Sequence, residues 1–123
     1  MNLELRSVAN RGDIERERIT FRVTADVDVG DFVVMQSGYV DGEVTTDIHH
    51  SFWFAYKPIE KGDLVVLYTK SGNMSSRPLK QRGLVHFFYW GLDMPIWQHE
   101  DRAAVLLAAP TWQSKSSIEL AGR

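Results

Sequence analysis

A chain of 123 residues with 44% hydrophobic side chains has the size and composition of one domain that closes a single core. The absence of cysteine excludes disulfides, thiolate nucleophiles and cysteine-based metal sites, and it suits the reducing cytoplasm, where we expect the protein. Fourteen basic and sixteen acidic residues give a net charge of −2, so no overall field attracts nucleic acid or an anionic membrane.

The N-terminal segment alternates apolar and polar residues over Leu3–Val8, which predicts a strand with one face on a core. Its charges leave no apolar run long enough for the core of a signal peptide. The longest apolar stretch, 103–110, is far shorter than the roughly 20 residues of a membrane helix. We therefore expect neither secretion by this route nor a membrane span.

Apolar residues recur at every second position from Ile19 to Val27, and they predict a second, half-exposed strand. The continuous apolar run Phe32–Met35 predicts a strand covered on both faces, and Asp41-Gly42 predicts a hairpin turn. The later segments are interpreted as follows: strands at 51–56, 64–68, 84–90, 96–97, 103–109 and 111–113, an exposed, mobile loop between Thr69 and Gly83, and fraying after Ser114.

These elements predict an all-β fold of about eight strands in two packed sheets. Residues 1–113 form the single domain, and 114–123 form its C-terminal tail. Trp97 follows Ile96 and precedes a polar turn, so we expect its side chain to be buried at the seam between the sheets.

Enzyme signatures are lacking, since the chain contains no G-x-S-x-G elbow and no phosphate-binding glycine loop. A metal site would require convergence of some of the following residues: Asp47, His49, His50, His86, His99, Glu100 and Asp101. Adjacent histidines on an extended chain point to opposite faces, which argues against one ion bound by both. We expect no catalytic residues, no metal and no cofactor.

Two groups of residues are candidates for binding. Lys70, Arg77, Lys80 and Arg82 lie in the predicted loop with no acidic residue between Lys70 and Arg82, so they suit phosphates or an acidic protein surface. The alternative is a loop whose charges only keep it solvated.

Aromatic residues form the second group. Within Phe52–Tyr56, alternate side chains face opposite sides of a strand, so both sides carry large apolar area. One side must be core, and Trp53 and Tyr56 are the candidates for an exposed recognition surface. The alternative is that the domain's own loops cover them.

A family resemblance rests on the C-terminal half of the chain. Tyr89-Trp90-Gly91, Ile96-Trp97, Asp101 and the apolar run 103–107 are similar to the lamin tail domain family, in its prokaryotic stand-alone form. Two earlier segments, 10–13 and 61–67, are similar to that family's first loop and to its turn and strand before the long loop, whereas 98–100 depart from its usual turn. The resemblance implies an immunoglobulin-like β-sandwich and a binding module without an active site.

Together these observations predict a non-catalytic interaction module that binds a protein partner through the aromatic strands or the basic loop. The first alternative is a nucleic-acid-binding β-sandwich. The second is a small metal-dependent hydrolase. Neither the partner nor the oligomeric state follows from the sequence.

Overall fold

The computed structural model describes residues 1–122, and about half of these residues lie in strands. This part of the chain contains ten strands, one 3-10 turn at Val29–Asp31 and one short α-helix near the C-terminus. They are β1 (Leu3–Ala9), β2 (Arg18–Val23), β3 (Val27–Asp28), β4 (Phe32–Val40), β5 (Glu43–Trp53), β6 (Pro58–Ile59), β7 (Leu64–Tyr68), β8 (Ser75–Pro78), β9 (Leu84–Tyr89), β10 (Arg102–Ala108) and the helix α1 (Ser117–Ala121). The all-β prediction is confirmed.

The strands form three sheets. The largest has the order β1-β2-β7-β9-β8, the second has the order β10-β4-β5, and β3 pairs with β6. Neighbouring strands are antiparallel except β7 and β9, which run parallel. Among residues 1–122, no helix has the length and apolar character needed to cross a membrane.

One hydrophobic core joins the two larger sheets. Phe54, just after β5, packs edge-on against Phe21 of β2 at 5.6 Å and against Phe88 of β9 at 5.1 Å between ring centroids. Phe32 and Val34 of β4 enter the same cluster. The predicted burial of Trp97 is confirmed, since only 6% of its surface is exposed and it packs into this core.

A buried carboxylate organises the loops at one end of the core. Glu17 is fully buried, and its two oxygens accept hydrogen bonds from the backbone amides of Gly12, Ile96 and Trp97 and from the Thr69 hydroxyl, at 2.6–3.1 Å. Each oxygen therefore has two donors, which offsets the cost of removing the carboxylate from water. Glu17 thus ties three separate segments together and sets the position of Trp97.

Several predicted boundaries are wrong, for local reasons. The strand predicted to reach Val27 ends at Val23, and β3 pairs with β6 in a separate sheet. The strand predicted at 51–56 begins at Glu43 and ends at Trp53, because the hairpin at Asp41-Gly42 pairs polar residues of β5 with β4. Asp41 and Gly42 both have positive φ, 54° and 80°, as such a turn requires.

The burial of β4 and the long loop also differ from prediction. Phe32 and Val34 are buried while Val33 and Met35 are partly exposed, so β4 is not covered equally on both faces. The loop predicted between Thr69 and Gly83 is exposed but contains β8, whose pairing with β9 gives the backbone of 75–78 its partners.

Near the C-terminus, residues 96–97 and 111–113 form no strand. The segment predicted to fray contains α1, which begins with a capping box between Ser116 and Glu119 and has no buried residue. The last residue of that predicted segment, Arg123, lies outside the described range.

Candidate functional site

The outer side of the three-stranded sheet carries no charge. Residues paired across β10, β4 and β5 share a face, and the intervening residues, such as Val34 and Phe32, enter the core. The outward rows, which we name the apolar face, are Leu107–Val33–Trp53, Val105–Met35–Ser51 and Ala103–Ser37–Ile48, and Ser37 is itself only 1% exposed. A solvent-facing side of an antiparallel sheet is normally polar, so this composition is unusual.

An aromatic cluster lies at one end of the apolar face and consists of Trp53, Tyr56 and Trp112. The Trp53 and Trp112 rings meet edge-on with centroids 5.0 Å apart, and Trp53 and Tyr56 are 6.4 Å apart. The three side chains remain 48%, 56% and 51% exposed. The cluster is therefore packed within itself but open to solvent.

Hydrogen bonds hold the cluster in place. The Trp53 indole donates to the Gly30 carbonyl at 2.7 Å, and the Trp112 indole donates to the Tyr56 hydroxyl at 3.0 Å. The Tyr56 ring lies directly against the Gly30 backbone, where a Cβ atom would overlap it. Glycine is thus required at position 30 for close approach, and the rings are fixed before any partner arrives.

The predicted residues Trp53 and Tyr56 are both exposed, and the domain's own loops do not cover them fully. Their neighbours Phe52 and Phe54 pack inward, as alternation along a strand requires. Sequence reasoning missed Trp112 as a site residue because residues 111–113 were assigned to a strand. A large aromatic residue in an otherwise polar segment is the signal that marks it.

The outer side of the five-stranded sheet is chemically different. Its rows, which we name the cationic face, are Arg18–Tyr68–Tyr89, Thr20–Val66–Phe87–Ser75 and Arg22–Leu64–Val85–Arg77. Tyr68 and Tyr89 stack with centroids 5.3 Å apart and an angle of 9° between planes. Three cations lie over these rings: Lys70 at 5.3 Å and Arg18 at 5.8 Å from Tyr68, and Arg77 at 5.1 Å from Phe87.

The four predicted basic residues are only partly brought together. Lys70 and Arg77 lie on the cationic face, where Lys70 also contacts Glu15 at 3.7 Å. Lys80 and Arg82 lie in the exposed turn between β8 and β9, which the hydrogen bond from the Leu79 amide to the Gly83 carbonyl closes.

A chain of polar side chains, which we name the relay, lies at the β8 edge of the five-stranded sheet. The Ser76 hydroxyl is 2.8 Å from Nδ1 of His86, and Nε2 of His86 is 2.8 Å from Oδ2 of Asp63. His86 and Asp63 are buried, whereas Ser76 is exposed and also contacts the Lys57 ammonium group. Sequence reasoning missed the relay because its members are brought together only by strand pairing.

The Asp63 carboxylate is fixed by more than the histidine. Burial raises the pKa of Asp63, but the hydrogen bond from His86 and those from the backbone amides of Glu60 and Leu84, at 3.0 Å each, together lower this pKa below its usual value. The relay thereby links the turn before β7 to β8 and β9. We interpret it as a structural tie that satisfies two buried polar side chains.

Three of the four histidines lie elsewhere. His49, His50 and His99 line a cleft of about 340 Å³ together with Asp93 and Arg102. Burial, followed by the charges of His49 and Arg102, lowers the pKa of His50. Within residues 1–122, no group of three or more histidine, aspartate or glutamate side chains is arranged to hold a metal ion.

No protein-family model matches the chain, and no curated protein is significantly similar to it. The two outer faces and their chemistry are therefore the features that bear on function.

Proposed function

We propose that this chain is a non-catalytic interaction domain that binds a protein partner through the apolar face and its aromatic cluster. The observation that carries the proposal is the half-exposed cluster of Trp53, Tyr56 and Trp112 beside a sheet face without charges. Tryptophan and tyrosine dominate the energy of protein interfaces, and charged residues are depleted at interface centres.

Pre-organisation strengthens this proposal. The hydrogen bonds of Trp53 and Trp112 already fix both indole rings, so little side-chain freedom remains to be lost on binding. The same bonds occupy both indole N–H donors. A sugar, which relies on hydroxyl hydrogen bonds, would find these donors taken, whereas an apolar protein surface needs only the contact area.

We propose that the two larger sheets form an immunoglobulin-like β-sandwich. Support comes from the core that Phe54 shares with Phe21 and Phe88, and from side chains of β4 in the same cluster. The parallel pairing of β7 with β9 departs from a purely antiparallel arrangement. Membership of the lamin tail domain family, and a cytoplasmic location, remain predictions from the sequence.

The non-catalytic part of the proposal depends on the role of the relay. A serine, histidine and aspartate joined in this order are the components of a hydrolase triad. Here His86 presents Nδ1 to Ser76 and Nε2 to Asp63, whereas a triad histidine presents Nε2 to the serine and Nδ1 to the carboxylate. The Ser76 hydroxyl, on an edge strand, also contacts the Lys57 ammonium group, and both features support a structural role. A fluorophosphonate probe should therefore leave Ser76 unlabelled, and labelling that Ser76→Ala or His86→Gln abolishes would establish a reactive serine instead.

The protein-binding proposal is tested by quantitative capture from the native host. Tagged wild type is compared with Trp53→Ser/Trp112→Ser, and with Ile118→Ser/Leu120→Ser as a control that removes two even more exposed apolar residues from α1. We expect one specific protein to be reduced at least about tenfold with the cluster variant and retained with the control.

The captured protein is then purified and its affinity for both variants is measured directly. Equal binding by wild type and the cluster variant would contradict the proposal. Sedimentation velocity of the purified chain over a range of concentrations tests whether the apolar face binds a second copy of the chain instead. Self-association of the wild type that is lost in the cluster variant would show this.

A further inference from the structure

We propose that the cationic face is a second binding site, and that its ligand is single-stranded nucleic acid bound without strong sequence preference. This inference is independent of the proposed function, because it concerns the opposite sheet and shares no residue with the apolar face. It rests on the arrangement of aromatic rings and cations across β2, β7, β9 and β8.

The floor of this face is aromatic. Tyr68, Phe87 and Tyr89 lie on the neighbouring central strands β7 and β9, and all three are partly exposed. A surface depression of about 260 Å³ is lined by these rings with Ser75, Ser76 and Arg77, which is enough space for a nucleobase. Rings on a rigid sheet that meet bases face to face are a recurrent means of binding single strands.

Tyr89 and Phe87 differ in how accessible their rings are to a base. Tyr89 is held between Tyr68 on one side and the backbone of Gly72 on the other, where a Cβ atom would overlap its ring. Phe87 has Arg77 over its ring and lies beside the depression. We therefore assign Phe87 as the principal stacking residue, with Arg77 moving from the ring to a phosphate when a base arrives.

The rim of the face is cationic. Arg22 and Arg77 occupy the same row three strands apart, so their Cα atoms are separated by about 14 Å. The Cα atom of Arg18 lies about 13 Å from that of Arg22 along β2. Lys70 projects over Tyr68 from the end of β7. Such a frame contacts the phosphates of a few successive nucleotides while the rings contact their bases.

Two carboxylates moderate the positive field. Glu4 of β1 pairs in register with Arg22, and Glu15 contacts Lys70. The field is nevertheless local to this face, because the chain as a whole carries a net charge of −2. Binding should accordingly be strongest at low salt. A duplex should bind more weakly than a single strand, because its bases are stacked inside the helix and cannot reach Phe87.

The test is fluorescence anisotropy with a labelled 20-nucleotide thymidine oligomer and the matching duplex, at several salt concentrations. The variant Arg22→Gln/Arg77→Gln should weaken single-strand binding by about tenfold or more. It should also reduce the slope of log affinity against log salt by about 1.4, since each lost phosphate contact contributes about 0.7. Phe87→Leu keeps the apolar volume and should weaken binding about fivefold or more through lost stacking.

The matched control is Lys61→Gln/Lys115→Gln, which gives the same net charge but changes exposed residues outside the rows of this face. An equal loss with the control would show nonspecific electrostatics and overturn the site. So would undetectable binding at low salt, or full affinity of Phe87→Leu. Tighter binding of polyglutamate than of the oligomer would reassign the face to an acidic protein. Unfolding midpoints of all variants confirm that each one is folded.

Discussion

The two outer faces of this protein rest on one core and have opposite chemistry. The apolar face, built on β10, β4 and β5, has rows of Leu, Val, Met, Ala, Ser, Ile and Trp without a charge. The cationic face, built on β2, β7, β9 and β8, has rings with arginines and a lysine over them. In both strand sets, alternate residues enter the shared core.

This difference shows that the core restricts only the inward-facing half of the residues in each strand. Inward positions must be apolar in both sheets, while outward positions are free to take the chemistry of a partner. We therefore interpret an outward face as a contact surface when its residues are apolar, or when its cations lie over aromatic rings. Substitutions in the core, in the relay and on each face test this contrast.

The largest effect is expected from the core that both faces share. Trp97→Ala should lower the free energy of unfolding by about 3–5 kcal/mol through lost apolar burial and the resulting cavity. Against a typical total of roughly 5–15 kcal/mol, this loss should impair both faces together. Urea unfolding followed by circular dichroism measures it, and a change below about 1 kcal/mol would show that Trp97 is not part of the common support.

Trp97→Phe is the companion variant. The Trp97 indole N–H is buried and has no hydrogen-bond partner within residues 1–122. Phenylalanine removes this unsatisfied donor and retains most of the apolar volume. It should therefore cost clearly less than alanine, and an equal cost would point to a specific requirement for the indole.

An intermediate effect is expected from the relay, which supports the cationic face alone. Asp63→Asn should destabilise the protein by about 1–3 kcal/mol, because it weakens the hydrogen bonds to His86 and to two backbone amides. Hydrogen exchange should increase in β8 and β9 while β5 and β10 stay protected. A uniform increase over both sheets would contradict the assignment to one face.

The same residue predicts a pH dependence. The pKa of Asp63 in the folded protein lies below the ordinary value of 3.8, so its contribution is complete above that value and is lost as the pH falls through the folded pKa. The stability difference between wild type and Asp63→Asn should shrink as the pH falls below about 4. A difference that grows over this acidic range would show that the pKa of Asp63 is raised in the folded protein.

A smaller effect is expected on the apolar face. Trp53→Ser/Trp112→Ser should cost at most about 1–2 kcal/mol, because both side chains are already half exposed and lose only part of their burial. Partner binding should nevertheless be lost. A cost as large as that of Trp97→Ala would identify the cluster as part of the core instead of a recognition surface.

The smallest effect is expected from the rim of the cationic face. Arg22→Gln/Arg77→Gln should change stability by no more than about 0.5 kcal/mol per substitution, because both side chains are exposed. Thermal unfolding compared with that of the Lys61→Gln/Lys115→Gln control checks this. A larger loss of stability would mean that the contact between Arg77 and Phe87 stabilises β8 and is not available for ligand binding.

Local sequence patterns predict the β class, the positions of β1, β2, β7, β9 and β10, and the burial of Trp97. Alternation at Leu3–Val8 predicts a strand because a period of two places apolar side chains on one side of a sheet. The short, continuous apolar runs at 64–68 and 103–109 predict strands that are covered on both faces. Alternation also places Trp53 opposite Phe52 and Phe54, whereas the exposed Tyr56 lies beyond the end of β5. Each of these inferences needs only neighbouring residues.

Contacts between residues far apart along the chain depend on how the strands pair. Ser76, His86 and Asp63 form the relay because β8 pairs with β9 and the turn before β7 lies below them. Trp112 joins Trp53 by folding back on it. The segment at 43–50 is polar, so no local pattern marks it as a strand, and its hydrogen bonds to β4 impose that structure. Such pairings join groups far apart along the chain, and local periodicity carries no information about them.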